Sequence, residues 1–319
     1  MNISITDTGS GIMHEFGRVI GARIQGRFLY IPEDKGSGFL TGFSWGKDLR
    51  MMLRNYQLKE PVVIERTNEL AEGQEDVIFL ISGIFPAPKQ NEKPLSYEKA
   101  HVLICMHAIS SIMEMPSDTV FGSVAIAVSR QYLRQLFGEI VHPVIREILD
   151  GKDSFVFETG ISPEIIKTAS EMLNQTVPVS LERHYYKLKC EELLCYIFAL
   201  LLQRAAVHSS TMHTEDIKAI YKIKFYLQSH PEKPPNIALL AREANMSEPK
   251  LRRLFTQTFG KGVFEYYQFV RMHEAAKLLK DKRMTVSEVG YRLGFTNLSH
   301  FSRTFEHYIG MKPKKYSVT

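Results

Sequence analysis

The last third of the chain repeats itself, and this duplication limits the fold more than any other feature of the sequence. The first copy runs Ile237-Ala-Leu-Leu-Ala241, Asn245-Met246-Ser247, Leu251-Arg-Arg253-Leu-Phe255, Phe259-Gly260. The second runs Val286-Ser-Glu-Val-Gly290, Gly294-Phe295-Thr296, Phe301-Ser-Arg303-Thr-Phe305, Ile309-Gly310. The copies align at an offset of 49 residues, which becomes 50 after one inserted residue. A fixed internal period signals a duplicated supersecondary unit.

Each copy has the local chemistry of a helix-turn-helix. A small residue, Ala241 or Gly290, lets another helix approach the first helix closely. A turn follows at Asn245-Met246 or Gly294-Phe295. Ser247 suits the N-cap of the next helix, as does Thr296 or Asn297 in the second copy. Thr285-Val-Ser-Glu288 reads as a capping box. The second helix of each copy has an apolar face (Leu251, Leu254, Phe255; Phe301, Phe305) and an outer face of short polar and basic side chains. Those are Lys250, Arg252, Arg253, Thr256 and Gln257 in one copy, and Ser299, His300, Ser302 and Arg303 in the other. Side chains of these types reach phosphates and base edges when a helix lies in the major groove. The units expected are 237–259 and 286–309. Between them, Val263 to about Lys280 reads as a helix spanning roughly 27 Å, against about 34 Å between successive major-groove faces.

Charge separates this region from the rest. Glu215–Thr319 holds 19 Lys plus Arg against 10 Asp plus Glu, a net +9; the remaining residues hold 21 against 25, a net −4. A basic end on a mildly acidic body points to a polyanion, double-stranded DNA, as its partner.

Before residue 129 the pattern changes to short apolar runs cut by Gly and Pro. Arg27–Ile31, Gly38–Trp45, Leu49–Tyr56, Pro61–Glu65, Val77–Ile84, Val102–Ile109 and Thr119–Val128 read as strands of a barrel or sandwich over about 27–128. Helices are expected over about 129–207: Ser129–Phe137, a second capped by Ser162 with Pro163 at its first position, and a long apolar one from Leu181. The polar stretch 208–214 reads as a linker between domains 1–207 and 215–319. The fold class expected is α+β, with a strand-rich first domain and an all-α second one. The longest purely apolar stretch, Leu193–Leu202, is half of what a membrane span needs, and the first residues resemble no secretory signal. A cytoplasmic protein with no membrane partner is expected.

The run Gly290-Tyr-Arg-Leu-Gly-Phe-Thr-Asn-Leu-Ser-His-Phe-Ser-Arg-Thr-Phe-Glu-His-Tyr-Ile-Gly-Met-Lys-Pro-Lys-Lys-Tyr316 resembles the signature of the AraC/XylS family of bacterial transcription regulators. The resemblance covers about Glu215 to Ser317. It implies two reading helices on a linking helix, with base contacts at Pro249, Arg252 and Arg253 in the first copy and at Leu298, Ser299, Ser302 and Arg303 in the second. Pro249 and Leu298 have no side-chain donor, so readout there would be by shape or a thymine methyl. The resemblance also implies a cupin-like barrel with helices for the first domain, RNA polymerase as a partner, with activation or repression left open, and a homodimer. The apolar helix carrying Leu193, Ile197, Leu200 and Leu201 is the expected dimer contact; packing wholly within its own domain is the alternative. The segments Met246–Tyr266 and Arg271–Ala275 resemble the branch of siderophore-sensing, pyochelin-type regulators, which makes an iron-siderophore one candidate effector.

Other readings stay open. Trp45, Phe43, Phe79, Phe85, Tyr56 and Phe121 serve equally as a pocket lining or a filled core. Arg50 and Arg54, alternating with apolar residues, meet an anionic ligand or lie on a solvated strand face. His101, His107 and Cys105 suggest a metal or ordinary structural groups, and Cys190 and Cys195 read as buried thiols. A DNA-repair enzyme fused to the same reading domain needs a four-cysteine zinc site, and the chain has three cysteines. No Gly-rich phosphate loop, Gly-x-Ser-x-Gly or His-Glu-x-x-His occurs. The expectation is therefore a regulator, with no enzymatic activity, cofactor or metal; a constitutive DNA binder without a ligand is the alternative.

Overall fold

Alternating apolar residues make a strand two-faced, and Leu49–Leu58 shows what that alternation becomes in the computed structural model of the chain. Leu49, Met51 and Leu53 join one core, and Tyr56 and Leu58 another on the opposite face. The structure describes residues 2–7, 12–68, 76–85, 96–97, 100–106, 111–115, 117, 119–151, 154–174, 177–205, 212–281 and 284–318. The chain divides into two units, Met1–Thr211 and Met212–Thr319.

The first unit begins with β1 (Asn2–Asp7), α1 (Ile12–Ile20), β2 (Arg23–Gln25), β3 (Phe28–Tyr30), β4 (Gly36–Trp45), β5 (Leu49–Leu58) and β6 (Val62–Asn68). Next come β7 (Asp76–Ser82), β8 (Ser96–Tyr97), β9 (His101–Met106), β10 (Ser111–Met115) and β11 (Thr119–Ser129). It ends with α2 (Arg130–Phe137), α3 (Pro143–Asp150), β12 (Val156–Thr159), α4 (Pro163–Leu173) and α5 (Val179–Leu202). The main sheet has the order β12-β9-β7-β11-β5-β4-β3-β2, with β8 pairing the start of β11.

The expected barrel does not close. Among the described residues β2 and β12 lie at opposite ends of this sheet, and β6, expected within it, pairs instead with β1 and β10 in a separate three-stranded sheet. Closure needs the two end strands to meet in register; here they are three and four residues long and far apart in strand order.

Helices α2–α5 cover one face of the main sheet. Ser129 Oγ accepts from Tyr132 N to cap α2, and Ser162 caps α4 with Pro163 in its first turn. The 24-residue α5 buries Leu193, Ile197 and Leu201 completely against Phe79, Ile126 and the other helices, and Leu200 is half-buried there. This corrects the expected dimer contact: three of the four named residues are core of their own unit. The outward side of α5 carries Leu181 (55% exposed), Leu188 (52%), Cys195 and Leu202 (43%). The aromatic residues expected to share one pocket are also divided. Phe43, Trp45, Phe79 and Phe85 belong to the helix-covered core, and Tyr56 and Phe121 to the other.

The second unit contains α6 (Thr214–Ser229), α7 (Ile237–Glu243), α8 (Glu248–Phe259), α9 (Val263–Lys280), α10 (Val286–Arg292), α11 (Leu298–Ile309) and α12 (Pro313–Tyr316). It has two cores, one for each sequence copy. Leu251, Leu254 and Phe255 of α8 pack with α6, α7 and the first half of α9. Phe301 and Phe305 of α11 pack with α10 and the second half of α9, at Met272, Ala275 and Leu279. The linking helix is thus a strut shared by both. Residues 206–211, most of the expected linker, lie outside the described residues, and Met212 is buried in the first of these cores. Among the described residues no helix is long and apolar enough to cross a membrane.

Candidate nucleic-acid interface

Caps set the start and end of each reading helix. Ser247 Oγ accepts from Lys250 N at 3.4 Å to open α8, and Asn297 Oδ1 accepts from His300 N at 3.0 Å to open α11. Both helices stop at a left-handed glycine, Gly260 (φ 68°) and Gly310 (φ 79°), where a side chain would be strained. The turns before them bend alike: Asn245 has φ 52° and Gly294 has φ 78°. Because Asn297, not Thr296, is the cap, the inserted residue precedes the helix. Leu298 therefore matches Glu248 as the first helical residue, and Ser299, His300, Ser302 and Arg303 match Pro249, Lys250, Arg252 and Arg253.

The outer face is mostly as the residue types suggest. Pro249, Arg252, Arg253, Ser299, His300 and Arg303 are exposed; Lys250, Thr256, Ser302 and Leu298 are half-buried. Two placements differ from expectation. Gln257 is 3% exposed, because it falls one turn beyond Leu254 on the side facing the core, and so it leaves the outer face. Leu298 packs inward: a Cβ at Gly290 would sit 2.8 Å from its Cδ2.

Charge on this face is unevenly committed. Lys250 Nζ pairs with Asp216 Oδ1 of α6 at 2.8 Å, and Arg252 pairs with Glu248 within its own helix at 3.4 Å. Arg253 and Arg303 make no ion pair or hydrogen bond among the described residues, so both guanidinium forks are available to an incoming anion.

Two supporting residues were not visible in the sequence. Arg271 is buried on α9, where its Nε donates to Leu293 O at 2.8 Å and its guanidinium lies 3.5 Å from the Phe295 ring centroid. Burial holds its pKa below the ordinary arginine value. It ties the strut to the turn of the second copy. Asp216 steers Lys250 as described. Spacing alone gives no signal for either, since both are ordinary charged residues on amphipathic helices. In the first unit, the metal suggested by His101, His107 and Cys105 finds no support: His107 lies outside the described residues, and no group of three or more His, Cys, Asp or Glu among the described residues is placed to hold an ion.

Residues 240–318 match a family model described as a helix-turn-helix domain. The arabinose operon regulatory protein of Salmonella typhimurium is 30% identical over 118 residues, covering 37% of this chain and 42% of that protein. The multiple antibiotic resistance protein MarA of the same organism is 26% identical over 104 residues, covering 33% of this chain and 82% of that one. A solved structure of a probable AraC family transcriptional regulator from Rhodopseudomonas palustris shares 25% identity over 31% of this chain and 94% of that chain, with a TM-score of 0.30. The chain spans about two-fifths or less of the length of the first curated relatives it matches. The C-terminal unit carries an AraC-family helix-turn-helix, a DNA-binding domain of transcription regulation.

Proposed function

We propose that the whole chain is a sequence-specific, ligand-responsive transcription regulator that reads one duplex with α8 and α11. The observation that carries this reading is the pair of matched reading helices, each with an uncommitted arginine on its outer face, mounted on one 18-residue strut. At roughly 27 Å the strut brings the two helices within side-chain reach of adjacent major-groove turns. Arg253 and Arg303 are the base readers, Lys250 a phosphate contact, and RNA polymerase the protein partner.

The first unit supplies pairing and sensing in this reading. Leu181, Leu188, Cys195 and Leu202 recur every seven residues along the exposed side of α5, which fills one of the two apolar positions of a heptad. A second copy of the chain offers the identical stripe. A small effector, with an iron-siderophore as one candidate, acts by binding one arrangement of the protein more tightly than another.

The test is a gel-shift titration of the full chain on promoter fragments selected from random DNA. Arg253→Ala or Arg303→Ala should each weaken operator binding by about 1–3 kcal/mol and relax base preference at a few positions. Lys250→Ala should weaken all sequences alike and flatten the salt dependence. Full discrimination retained by both arginine variants would refute the assignment of the reading helices.

A further inference from the structure

The two cores of the second unit meet at one side chain. Tyr267 belongs to the first core and Met272 to the second, and Arg271 lies between them on α9, 5% exposed. Its guanidinium carbon stands 5.4 Å from the Tyr267 ring centroid on one side and 3.5 Å from the Phe295 ring centroid on the other. Arg271 Nε donates to Leu293 O at 2.8 Å, the carbonyl that precedes Gly294 in the turn of the second copy. No carboxylate pairs with this guanidinium among the described residues.

From the opposite side the same turn meets backbone. The segment between α6 and α7 reads His230-Pro-Glu-Lys-Pro-Pro-Asn236, and its prolines fix φ and stiffen it. A Cβ on Gly294 would fall 2.3 Å from Glu232 O and 3.5 Å from Arg271 Nη2. The turn Leu293–Phe295 is therefore caught between a stiff segment that leads into the first copy and a guanidinium mounted on the strut. The remaining hold of α9 on the second copy is apolar, through Met272, Ala275, Ala276 and Leu279. Apolar burial is non-directional: it resists separation and tolerates a roll. The hydrogen bond to Leu293 O and the backbone stop at Glu232 are directional and do not.

We infer that Arg271 is a positioning residue for base reading: it fixes the roll of the second helix-turn-helix about the strut, and with it the spacing and phase of the two half-sites that α8 and α11 accept. A buried, unpaired guanidinium is costly where an apolar side chain would pack as well. The best-attested return on such a cost is register, as when one buried polar residue fixes the alignment of two helices. The lever is long enough to matter. Helix α11 starts at Leu298, and its 12 residues span about 18 Å. A roll of about 10° at the turn would carry its far end about 3 Å, close to the rise of roughly 3.4 Å per base pair. This inference rests on the two-reader reading above and adds what sets the distance between the two reads.

The experiment uses the full chain on an operator selected from random DNA, beside two versions with one base pair inserted or removed between the half-sites, compared by gel shift. The parent should bind the altered operators roughly ten- to a hundredfold more weakly, the scale of a lost base contact. Arg271→Met, which keeps the length of the side chain and removes its fork, should cut that spacing penalty to about threefold or less, below the usual cost of one mismatch. Its salt dependence should match the parent's, because Arg271 is buried and meets no phosphate. Loss of folded protein would lower binding to all three operators by one factor, so the ratio between operators separates positioning from stability. Phe295→Leu, which keeps the arginine and removes the ring it lies on, should relax the spacing in the same way and decides the matter if Arg271→Met does not fold. The full penalty kept by a folded Arg271→Met, or by Phe295→Leu in its place, overturns the inference alone, as does a shallower salt dependence in Arg271→Met. A parent indifferent to the inserted base pair overturns the two-reader reading and the inference with it.

Discussion

Replacing Gly294 by asparagine separates two reasons for a glycine in the turn of the second copy. Backbone angle alone does not demand it. Asn245 holds the matching place in the first copy at φ 52°, and asparagine accepts the left-handed region at small cost. Space demands it: a Cβ at Gly294 would lie 2.3 Å from the carbonyl oxygen of Glu232 and 3.5 Å from Arg271 Nη2. Ordinary contact begins near 3.4 Å, so backbone must give way by about 1 Å. Forced overpacking costs about 1–3 kcal/mol. If the shift also breaks the buried bond from Arg271 Nε to Leu293 O at 2.8 Å, a further 1–3 kcal/mol or so is lost. Gly294→Asn should therefore destabilise the second unit by roughly 2–6 kcal/mol, and the reverse change Asn245→Gly by about 1 kcal/mol or less. Urea unfolding of the full chain distinguishes the units, because the single tryptophan, Trp45, reports the first, while far-UV dichroism is weighted toward the helical second. The tryptophan transition should stay in place as the helical one moves. A Gly294→Asn protein within 1 kcal/mol of the parent would refute the argument that Glu232 confines the turn.

Four shorter predictions follow from other contacts. Phe301 is fully buried between Phe295 and Phe305, at 5.2 and 5.9 Å between ring centroids, so Phe301→Ala should cost about 3–5 kcal/mol in the same urea assay. The backbone N–H and hydroxyl of Thr285 hold the Glu288 carboxyl below the usual carboxylate range; its stabilisation should be present above that range and fade as pH falls through the lowered value. Glu288→Gln should remove that component of the acid dependence, seen as a flatter plot of unfolding midpoint against pH, and Thr285→Ala, which keeps the backbone N–H, should remove only part of it. Leu188→Glu should leave the circular dichroism unchanged but turn a dimer into a monomer in light scattering at tens of micromolar, and a parent protein that is already monomeric would dismiss the α5 seam. Burial pushes the Cys190 thiol up, so a thiol reagent should label exposed Cys195 in the native protein and reach Cys190 only on unfolding; mass spectrometry identifies the order.

The second unit was legible because its signals are local. Ser247, Thr285, Gly260 and Gly310 act within one turn of where they stand, and two aligned copies confirm each other. Signals that depend on distant partners were not. The seven apolar runs before residue 129 identify strands, but nothing in them states that β6 leaves the main sheet for β1 and β10. An apolar helix such as α5 announces burial without saying which side meets its own core, so Leu193 was mistaken for a surface and Leu188 overlooked. Gln257 was assigned by polarity, whereas its place one turn after Leu254 puts it inward. Arg54 is 6% exposed; it looked solvated because alternation reports two faces, not whether the second is covered. Helix α3 is only eight residues long, too short for a clear period.

The two reading helices are alike in build and unlike in the chemistry they present. One offers Arg252 and Arg253; the other offers Ser299, His300 and Arg303. A symmetric dimer of single readers must see a palindrome and cannot tell left from right. In the proposed reading, two unequal readers on one strut see a sentence with a direction. Reversing the site end for end would put the wrong helix over each half, so a single chain bound to DNA points along it, and whatever stands on its leading side meets the same face of the protein every time.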